Sequence, residues 1–275
     1  MRIKHTRRLA AIFLMAGLLS PPPAPAATIA VGGTGGATEP MRLIGARYAA
    51  SGADTPIDVV PGLGSGGAIS AAADGVIQLA VSGRPLTAAE TARGLTTAFV
   101  ICTPYVLASS HPEPASLDRT AVAGIYARNA PLWPDGQPIR IVLRPKGESD
   151  NDVLFRSFPG MEEAVGKARQ RDSVPVAATD QENADMAEHI PGSLVGSTYA
   201  QMITERRSLR MVAIDGVAPG IAAYENGLYP FGKHLHVIAA RDPSPALTRF
   251  LAFMRSPDGL AALRESGLVP CPASR

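Results

Sequence analysis

Residues 57–81 read IDVVPGLGSGGAISAAADGVIQLAV, and this stretch decides the fold. The β-branched segment Ile57 to Val60 predicts a strand, Gly62 to Gly67 a tight turn, and Ala68 to Ala73 a helix of small residues. Val76 to Val81 predicts the next strand. Strands that alternate with helices in this way indicate an α/β domain with a mostly parallel sheet.

The same order of strand, glycine-rich turn and helix precedes this stretch. Thr28 to Val31 predicts a strand, GGTGGATEP at residues 32–40 a turn, and Met41 to Ala50 a helix. Further along, Phe99 to Ala108 predicts a long apolar strand, and the polar, proline-containing segment SSHPEP at residues 109–114 suits a crossing between two lobes. The chain of 275 residues is long enough for one large domain or for two lobes of about 100 to 150 residues each, and we expect two lobes.

The two glycine-rich turns are the most suggestive chemical feature. A strand that ends in glycines and leads into a helix points backbone N–H groups at a shared cavity, where they favour an anion or a polar acceptor. Turns from neighbouring strands meet at the carboxyl edge of the sheet. The alternative is that the glycines only allow tight turns.

Enzyme and cofactor motifs fit the sequence poorly. Gly62 to Gly67 matches G-x-G-x-x-G, but no acidic residue follows the next strand at Val81, so we expect no nucleotide cofactor. G-x-S-x-G fails around Ser65. His234 and His236 alternate on a predicted strand and share a face, but no third ligand stands at a readable spacing, so we expect no metal.

Two segments have the spacing of a helix capping box. Thr87 with Glu90 predicts one helix start, and Ser149 with Asp152 predicts another. The second pair lies in the acidic sequence ESDND, which could also suggest a cation site. Capping is favoured, because acids in a first helical turn are stabilised by the helix dipole.

The N-terminus has the three parts of an export signal. Basic Arg2, Lys4, Arg7 and Arg8 precede an apolar segment from Leu9 to Leu19 and the small-residue cleavage site Ala24-Pro25-Ala26. The apolar segment is shorter than the roughly 20 residues that span a bilayer. We therefore expect residues 1–26 to be a cleavable signal peptide and the remaining chain to be periplasmic. Because no cysteine lies near the cleavage site, we expect no lipid anchor.

The predicted export changes how the net charge and the two cysteines are interpreted. Removing the four signal-peptide bases from the 26 basic residues, against 24 acidic ones, changes the formal charge from +2 to −2, so no nucleic-acid partner is expected. Cys102 and Cys271 could pair in an oxidising compartment. Alternatively they stay separate thiols, with Cys102 buried in the apolar segment 99–107.

A set of short motifs recurs in a family's order along nearly the whole chain. The motifs are Ala37-Thr38-Glu39-Pro40; Gly62 to Gly67 followed by Asp74, Ser82, Arg84-Pro85-Leu86 and Glu90; Ile125-Tyr126; Trp133 to Gly136; Ile139 to Arg144; Pro191 to Ser193 before Gly196; Asn226 to Pro230; Ser256 to Gly259; and Gly267 to Pro270. In this order the sequence resembles the phosphate-type periplasmic substrate-binding proteins of ABC transporters.

The resemblance implies a two-lobed periplasmic-binding-protein-like fold of type II, each lobe a mostly parallel sheet flanked by helices. It places residues 27–109 and 209–275 in one lobe and residues 110–208 in the other. It implies a non-enzymatic, monomeric protein that traps a solute by hinge closure and delivers it to a membrane permease. It also implies a set of ligand contacts: Thr38, Glu39, Ser65, Gly66, Arg84, Arg144, Glu148, Ser149 and Asp150.

Two departures from the family pattern bear on the ligand. The turn after Arg144 is Ser-Gly-Thr in phosphate binders, whereas this chain has Glu148, Ser149 and Asp150. The family's proton-accepting Asp is replaced by Gly83. Like charges about 4 Å apart repel by roughly 4 kcal/mol at an effective dielectric constant of 20. We therefore expect a small polar or anionic solute that is not phosphate, or phosphate bound weakly with the acids turned away.

Two other functions remain open at this point. One is an exported binding protein that reports to a membrane sensor, or assists a periplasmic enzyme, without delivering cargo. The other is a metal-assisted periplasmic hydrolase that uses His234, His236 and nearby acids.

Overall fold

The computed structural model describes residues 28–271, so the predicted signal peptide lies outside the described residues. The strands are β1 (Ile29–Gly33), β2 (Ile57–Val60), β3 (Leu79–Ser82), β4 (Leu95–Ser109), β5 (Arg140–Ile141), β6 (Ser193–Thr198), β7 (Arg210–Met211), β8 (Gly232–Ala240) and β9 (Val269–Pro270). The helices are α1 (Thr38–Ala50), α2 (Gly64–Ala73), α3 (Ala88–Ala92), α4 (Val122–Ala127), α5 (Ser149–Ser157), α6 (Met161–Ala168), α7 (Asp180–His189), α8 (Tyr199–Thr204), α9 (Ile221–Glu225), α10 (Pro245–Arg255) and α11 (Pro257–Glu265). Between residues 28 and 271, no helix is both long and apolar enough to cross a membrane.

The first lobe is built on the strands β2, β1 and β3, which pair in parallel in that order. The predicted units of strand, turn and helix are confirmed here, with α1 following β1 and α2 following β2. Helix α2 begins inside the glycine turn at Gly64, four residues before the predicted start. Strand β3 begins at Leu79, later than predicted, because the chain first turns at Gly75 and leaves Val76 71% exposed.

Strands β4 and β8 connect the first lobe to the second. Residues 95–104 of β4 pair antiparallel with β8, which itself pairs antiparallel with β3. Residues 105–108 of the same strand pair with β6 of the second lobe, and β5 lies parallel to β6. The 15-residue strand β4 therefore belongs to both lobes and crosses between them near Pro104.

Each lobe has its own hydrophobic core. In the first lobe, residues of α1, α10 and α11 pack on the sheet, with Ile44 and Phe250 fully buried. In the second lobe, Trp133, Phe158 and Met161 pack beneath β4 and β6. The predicted lobe boundaries at residues 109 and 209 stay a prediction. Since Tyr229 and Phe231 pack in the second core, we favour a return crossing near Gly232.

The two predicted capping boxes have different outcomes. The box at α3 is confirmed, because the Thr87 hydroxyl accepts from the Glu90 amide and the Glu90 carboxylate accepts from the Thr87 amide. At α5 the prediction is wrong, because Glu148 takes the N-cap position and Ser149 already lies in the helix. Ser149 is therefore free to face the other lobe.

A disulfide joins Cys102 to Cys271. Strand β9 pairs with β4 at Ile101 and Cys102, which brings Cys271 to the edge of the first lobe's sheet, beside Cys102. The bond connects residues 169 positions apart. Of the two arrangements left open by the sequence, the structure contains the paired one.

We predict that replacing both cysteines by alanine lowers the free energy of unfolding by about 2 to 5 kcal/mol, because the denatured chain loses a long covalent loop. Urea denaturation monitored by circular dichroism measures the change. Adding a reductant to the double variant should change nothing further, and a double variant as stable as the oxidised protein would contradict the prediction.

Candidate functional site

A cavity of about 110 Å³ lies between the two lobes, at the carboxyl ends of β1 and β2. Its wall in the first lobe is formed by the two glycine-rich turns, and its wall in the second lobe by the segments that begin α5 and α7. The lining residues are Thr34, Gly35, Gly62, Leu63, Gly64, Arg144, Glu148, Ala178, Thr179, Asp180 and Gln181.

A larger cavity of about 510 Å³ lies within the second lobe and is bordered by Pro131, Ile139 and Pro175. Its charged side chains, Arg140 and Arg171, are partly or fully exposed and belong to one lobe. The cavity between the lobes is lined by the buried charged side chains of Arg144 and Asp180 and by the glycine-rich turns of the other lobe, so we assign the candidate site to it.

Four buried charged side chains lie beside the small cavity. Lys233 projects from β8 with only 1% of its surface exposed, and its ammonium group contacts the Asp150 carboxylate and lies 3.4 Å from the Thr34 hydroxyl. Arg144 lies 3.1 Å from Asp180 through Nη2 and 3.8 Å from Asp150 through Nε. Two cations and two carboxylates thus form one buried network.

Asp180 ties the two lobes together. Its Oδ2 accepts hydrogen bonds from the Gly36 amide at 2.8 Å and from the Thr34 hydroxyl at 3.1 Å. Thr179 caps the helix that begins at Asp180, and the side chain of Gln181 donates to the Gly35 carbonyl at 3.0 Å. The start of α7 therefore docks on the first glycine-rich turn.

The two carboxylates differ in proton affinity. Burial raises the pKa of Asp150 to about 6, against the opposing attraction of Lys233 and with a further increase from Asp180. Burial would also raise the pKa of Asp180, but Lys233, Arg144 and the Gly36 amide outweigh it and lower that pKa to about 2. Burial would lower the pKa of Lys233, but Asp150 and Asp180 outweigh it and raise that pKa. Asp150 is therefore the first member of the network to take up a proton as the pH falls.

Several predicted contact residues meet at this network. Arg144 and Asp150 belong to it, and Glu148 lies 3.5 Å from Arg144. Ser149 faces Gly83 across the cleft. The Ser65 hydroxyl accepts a hydrogen bond from the Gly83 amide at 2.9 Å. That these residues contact a ligand stays a prediction.

The other predicted contacts lie elsewhere or have other partners. Thr38 and Glu39 line a neighbouring groove, where Glu39 lies 3.1 Å from Arg42. Arg84 pairs with Glu90 at 2.7 Å, and this hydrogen bond is the main reason that the pKa of Glu90 falls to about 2. Gly66 lies exposed in the first turn of α2.

Two members of the network, Asp180 and Lys233, and their hydrogen-bond partner Thr34 were not predicted as contacts from the sequence. Lys233 had a signal, because it stands at an inward position of a strand whose alternate residues Phe231 and Leu235 are buried. A lysine at such a position is rare unless it is paired. Asp180 follows a helix N-cap and reads as an ordinary first-turn acid, so its role depends on the docking of the lobes.

Gly83 allows the lobes to touch. A Cβ atom at this position would lie 2.2 Å from Ser149 Oγ and 2.9 Å from Lys233 Cε. The family's Asp would therefore not fit here without moving Ser149 and Lys233.

The two histidines proposed for a hydrolase lie on β8, where His234 is exposed and His236 is half-buried. Among residues 28–271, the possible metal ligands that lie close to His234 are Cys102 and Cys271. Both sulfur atoms are in the disulfide, so neither is a thiolate ligand.

We predict that Gly83→Ala lowers the free energy of unfolding by about 1 to 3 kcal/mol, because the added methyl group overpacks the contact with Ser149 and Lys233. Chemical denaturation measures the change. Gly66→Ala is the matched control, since nothing lies within 4 Å of a Cβ atom at that helical position and alanine favours helices. Equal stabilities of the Gly83→Ala variant and the unchanged protein would contradict the close contact.

Solved structures of binding proteins share this fold. A putative phosphate ABC transporter substrate-binding protein from Clostridium perfringens is 16% identical, with a TM-score of 0.71 over 88% of this chain and 99% of that one. An ABC-type phosphate transport receptor from Vibrio cholerae is 18% identical, with a TM-score of 0.59 over 88% and 99%. The periplasmic molybdate-binding protein of Azotobacter vinelandii is 11% identical, with a TM-score of 0.58 over 88% and 98%. The predicted two-lobed α/β fold is confirmed by this likeness.

The sequence itself gives one family match. No curated protein sequence matches the chain significantly. The sequence profile described as the PBP superfamily domain matches residues 20–258, which is most of the chain. The chain belongs to the PBP superfamily.

Proposed function

We propose that this protein is a periplasmic solute-binding protein, the substrate-binding component of an ABC transporter, and that it captures a small polar or anionic solute between its lobes. Membership of the PBP superfamily supports this function. The names of its structural neighbours, which include phosphate and molybdate binders, support a transport role.

The observation that carries the proposal is the buried charge network between the lobes. Asp180 of the second lobe bonds to Gly36 and Thr34 of the first, next to a cavity of about 110 Å³. A cavity closed by contacts between two lobes is what hinge capture of a small solute requires, because a ligand that contacts both lobes favours the closed state.

The same network argues against tight phosphate binding near neutral pH. The acids Glu148 and Asp150 are not turned away from the cations of the cleft, because Glu148 lies 3.5 Å from Arg144 and Asp150 contacts Lys233. An added phosphate would meet cations that are already paired, and carboxylates that repel it. A solute that carries hydroxyl groups or a positive charge beside its anionic group suits this mixed environment better.

A second role uses the same fold without delivering cargo. An exported protein that binds a solute and reports to a membrane sensor needs the same cleft. A permease encoded beside this protein would favour transport over sensing. The hydrolase alternative has no supporting feature beyond the histidines on β8.

The test is native mass spectrometry of protein purified from a periplasmic extract, followed by calorimetry with the released solute. We expect one small bound solute, and at pH 7.5 we expect phosphate to bind more weakly than about 1 µM, or about 8 kcal/mol. Small-angle scattering on protein freed of solute by unfolding and refolding should show compaction when that solute returns. Sub-micromolar phosphate binding would overturn the ligand assignment, and the absence of any solute that binds would overturn the function.

A further inference from the structure

The donors that face the cleft are already occupied by carboxylates of the protein. Asp180 accepts from the Gly36 amide and the Thr34 hydroxyl and pairs with Arg144. This is the set of contacts that a bound oxyanion would make: a backbone amide, a hydroxyl and a guanidinium group. The Asp180 carboxylate therefore sits in the position of a ligand.

Asp150 likewise occupies the position of a ligand beside Lys233, the second cation of the network. Its carboxylate contacts Lys233 through Oδ1 and lies 3.8 Å from the Arg144 Nε through Oδ2. Both side chains of the Lys233–Asp150 pair are more than nine-tenths buried. With Lys233 and Arg144 facing Asp150 and Asp180, the buried charges cancel without any ion from outside.

The lobes are closed tightly around these carboxylates. A Cβ atom at Gly35 would lie 2.8 Å from Asp180 Oδ2, and one at Gly83 would lie 2.2 Å from Ser149 Oγ. At this contact the Asp180 carboxylate fills the space that an oxyanion would need, and the cavity of about 110 Å³ lies beside it. Such an anion could enter this position only by displacing a carboxylate.

We propose that Asp150 and Asp180 are built-in counter-ions that occupy the anion position and exclude small oxyanions near neutral pH. This inference rests on the proposed function, since it names what the cleft selects against. It makes the two aspartates specificity-determining residues: neutralising them converts the cleft into an oxyanion site.

One donor remains for an incoming anion. Among residues 28–271, Arg144 Nε is a buried nitrogen without a hydrogen-bond partner, although the Arg144 side chain is only 8% exposed. If Asp150 loses its charge, this nitrogen and the Lys233 ammonium group both face an uncharged neighbour. A sulfate ion there would gain two cationic partners that Asp150 now occupies.

The pH dependence follows from the groups around Asp150. Those facing it are Lys233 on β8, Asp180 on α7, Arg144, and the buried phenol of Tyr105 on β4. Of these, Asp150 titrates in the accessible range, because burial raises its pKa to about 6. Above that pH it is charged and competes with an anion, and below it the competition weakens.

The experiment is calorimetric titration with sulfate, which stays a dianion from pH 5 to pH 7.5. At pH 7.5 we expect Asp150→Asn to bind sulfate at least about 30-fold more tightly than the unchanged protein, because an amide carries no charge to repel the anion. The Asp150→Asn, Asp180→Asn double variant should gain at least as much. Asp152→Asn, an exposed acid on the same helix, is the control and should gain nothing.

Two further readouts separate this role from a merely structural one. The unchanged protein should bind sulfate more tightly at pH 5 than at pH 7.5, and Asp150→Asn should lose that pH dependence. In small-angle scattering at pH 7.5, adding sulfate should compact the double variant and should leave the dimensions of the unchanged protein as they were. The pH readout needs no variant, so it decides the matter even if a variant fails to fold.

Equal sulfate affinity in the unchanged protein, Asp150→Asn and the double variant, together with no change between pH 5 and pH 7.5, would overturn the inference. That result would leave the proposed function standing if the released solute still binds and compacts the protein. Conversely, a gain of sulfate binding in the variants would support the inference even if native mass spectrometry found no solute.

Discussion

The ion pair between Lys233 and Asp150 is the interaction on which the arrangement of the two lobes depends. Lys233 is 1% exposed, and a buried ammonium ion is tolerated only beside an anion. Asp150 supplies that anion from the second lobe, with Asp180 and Arg144 completing the balance. Removing one member of such a pair leaves an uncompensated buried charge, which typically costs about 3 to 5 kcal/mol. Charge neutrality at one buried point therefore couples lobes that have separate hydrophobic cores.

Features set by local chemistry could be predicted from the sequence. Three predicted features depend only on neighbouring residues, and all are present. They are the strand at Ile57 to Val60, the helices that follow the glycine-rich turns, and the capping box at Thr87. Arg144 and Asp150 came from the family resemblance and do meet in the cleft. Lys233 and Asp180 could not be placed in this way. Lys233 lies 83 residues from Asp150 in sequence, and only the folding of both lobes brings the two together.

Matching a family motif did not fix what a residue does. Arg84 stands in the expected order, but Glu90 lies six residues away and pairs with it, so the guanidinium group is used locally. Gly83 stands where the family has a proton acceptor, and the space beside it holds Ser149 and Lys233. In both places the chemistry depends on which charged side chain lies nearest in space.

The strands β4 and β8 also determine how the lobes can move. They stay hydrogen-bonded to each other up to Pro104 and Gly232, so any rotation between the lobes must twist this two-stranded ribbon. Lys233 and its cross-strand neighbour Thr103 lie beside this crossing. Cys102 is the next residue, and its disulfide fastens the end of the chain to the same ribbon. Reducing this one bond would therefore release the C-terminal segment from the strand through which the two lobes are connected.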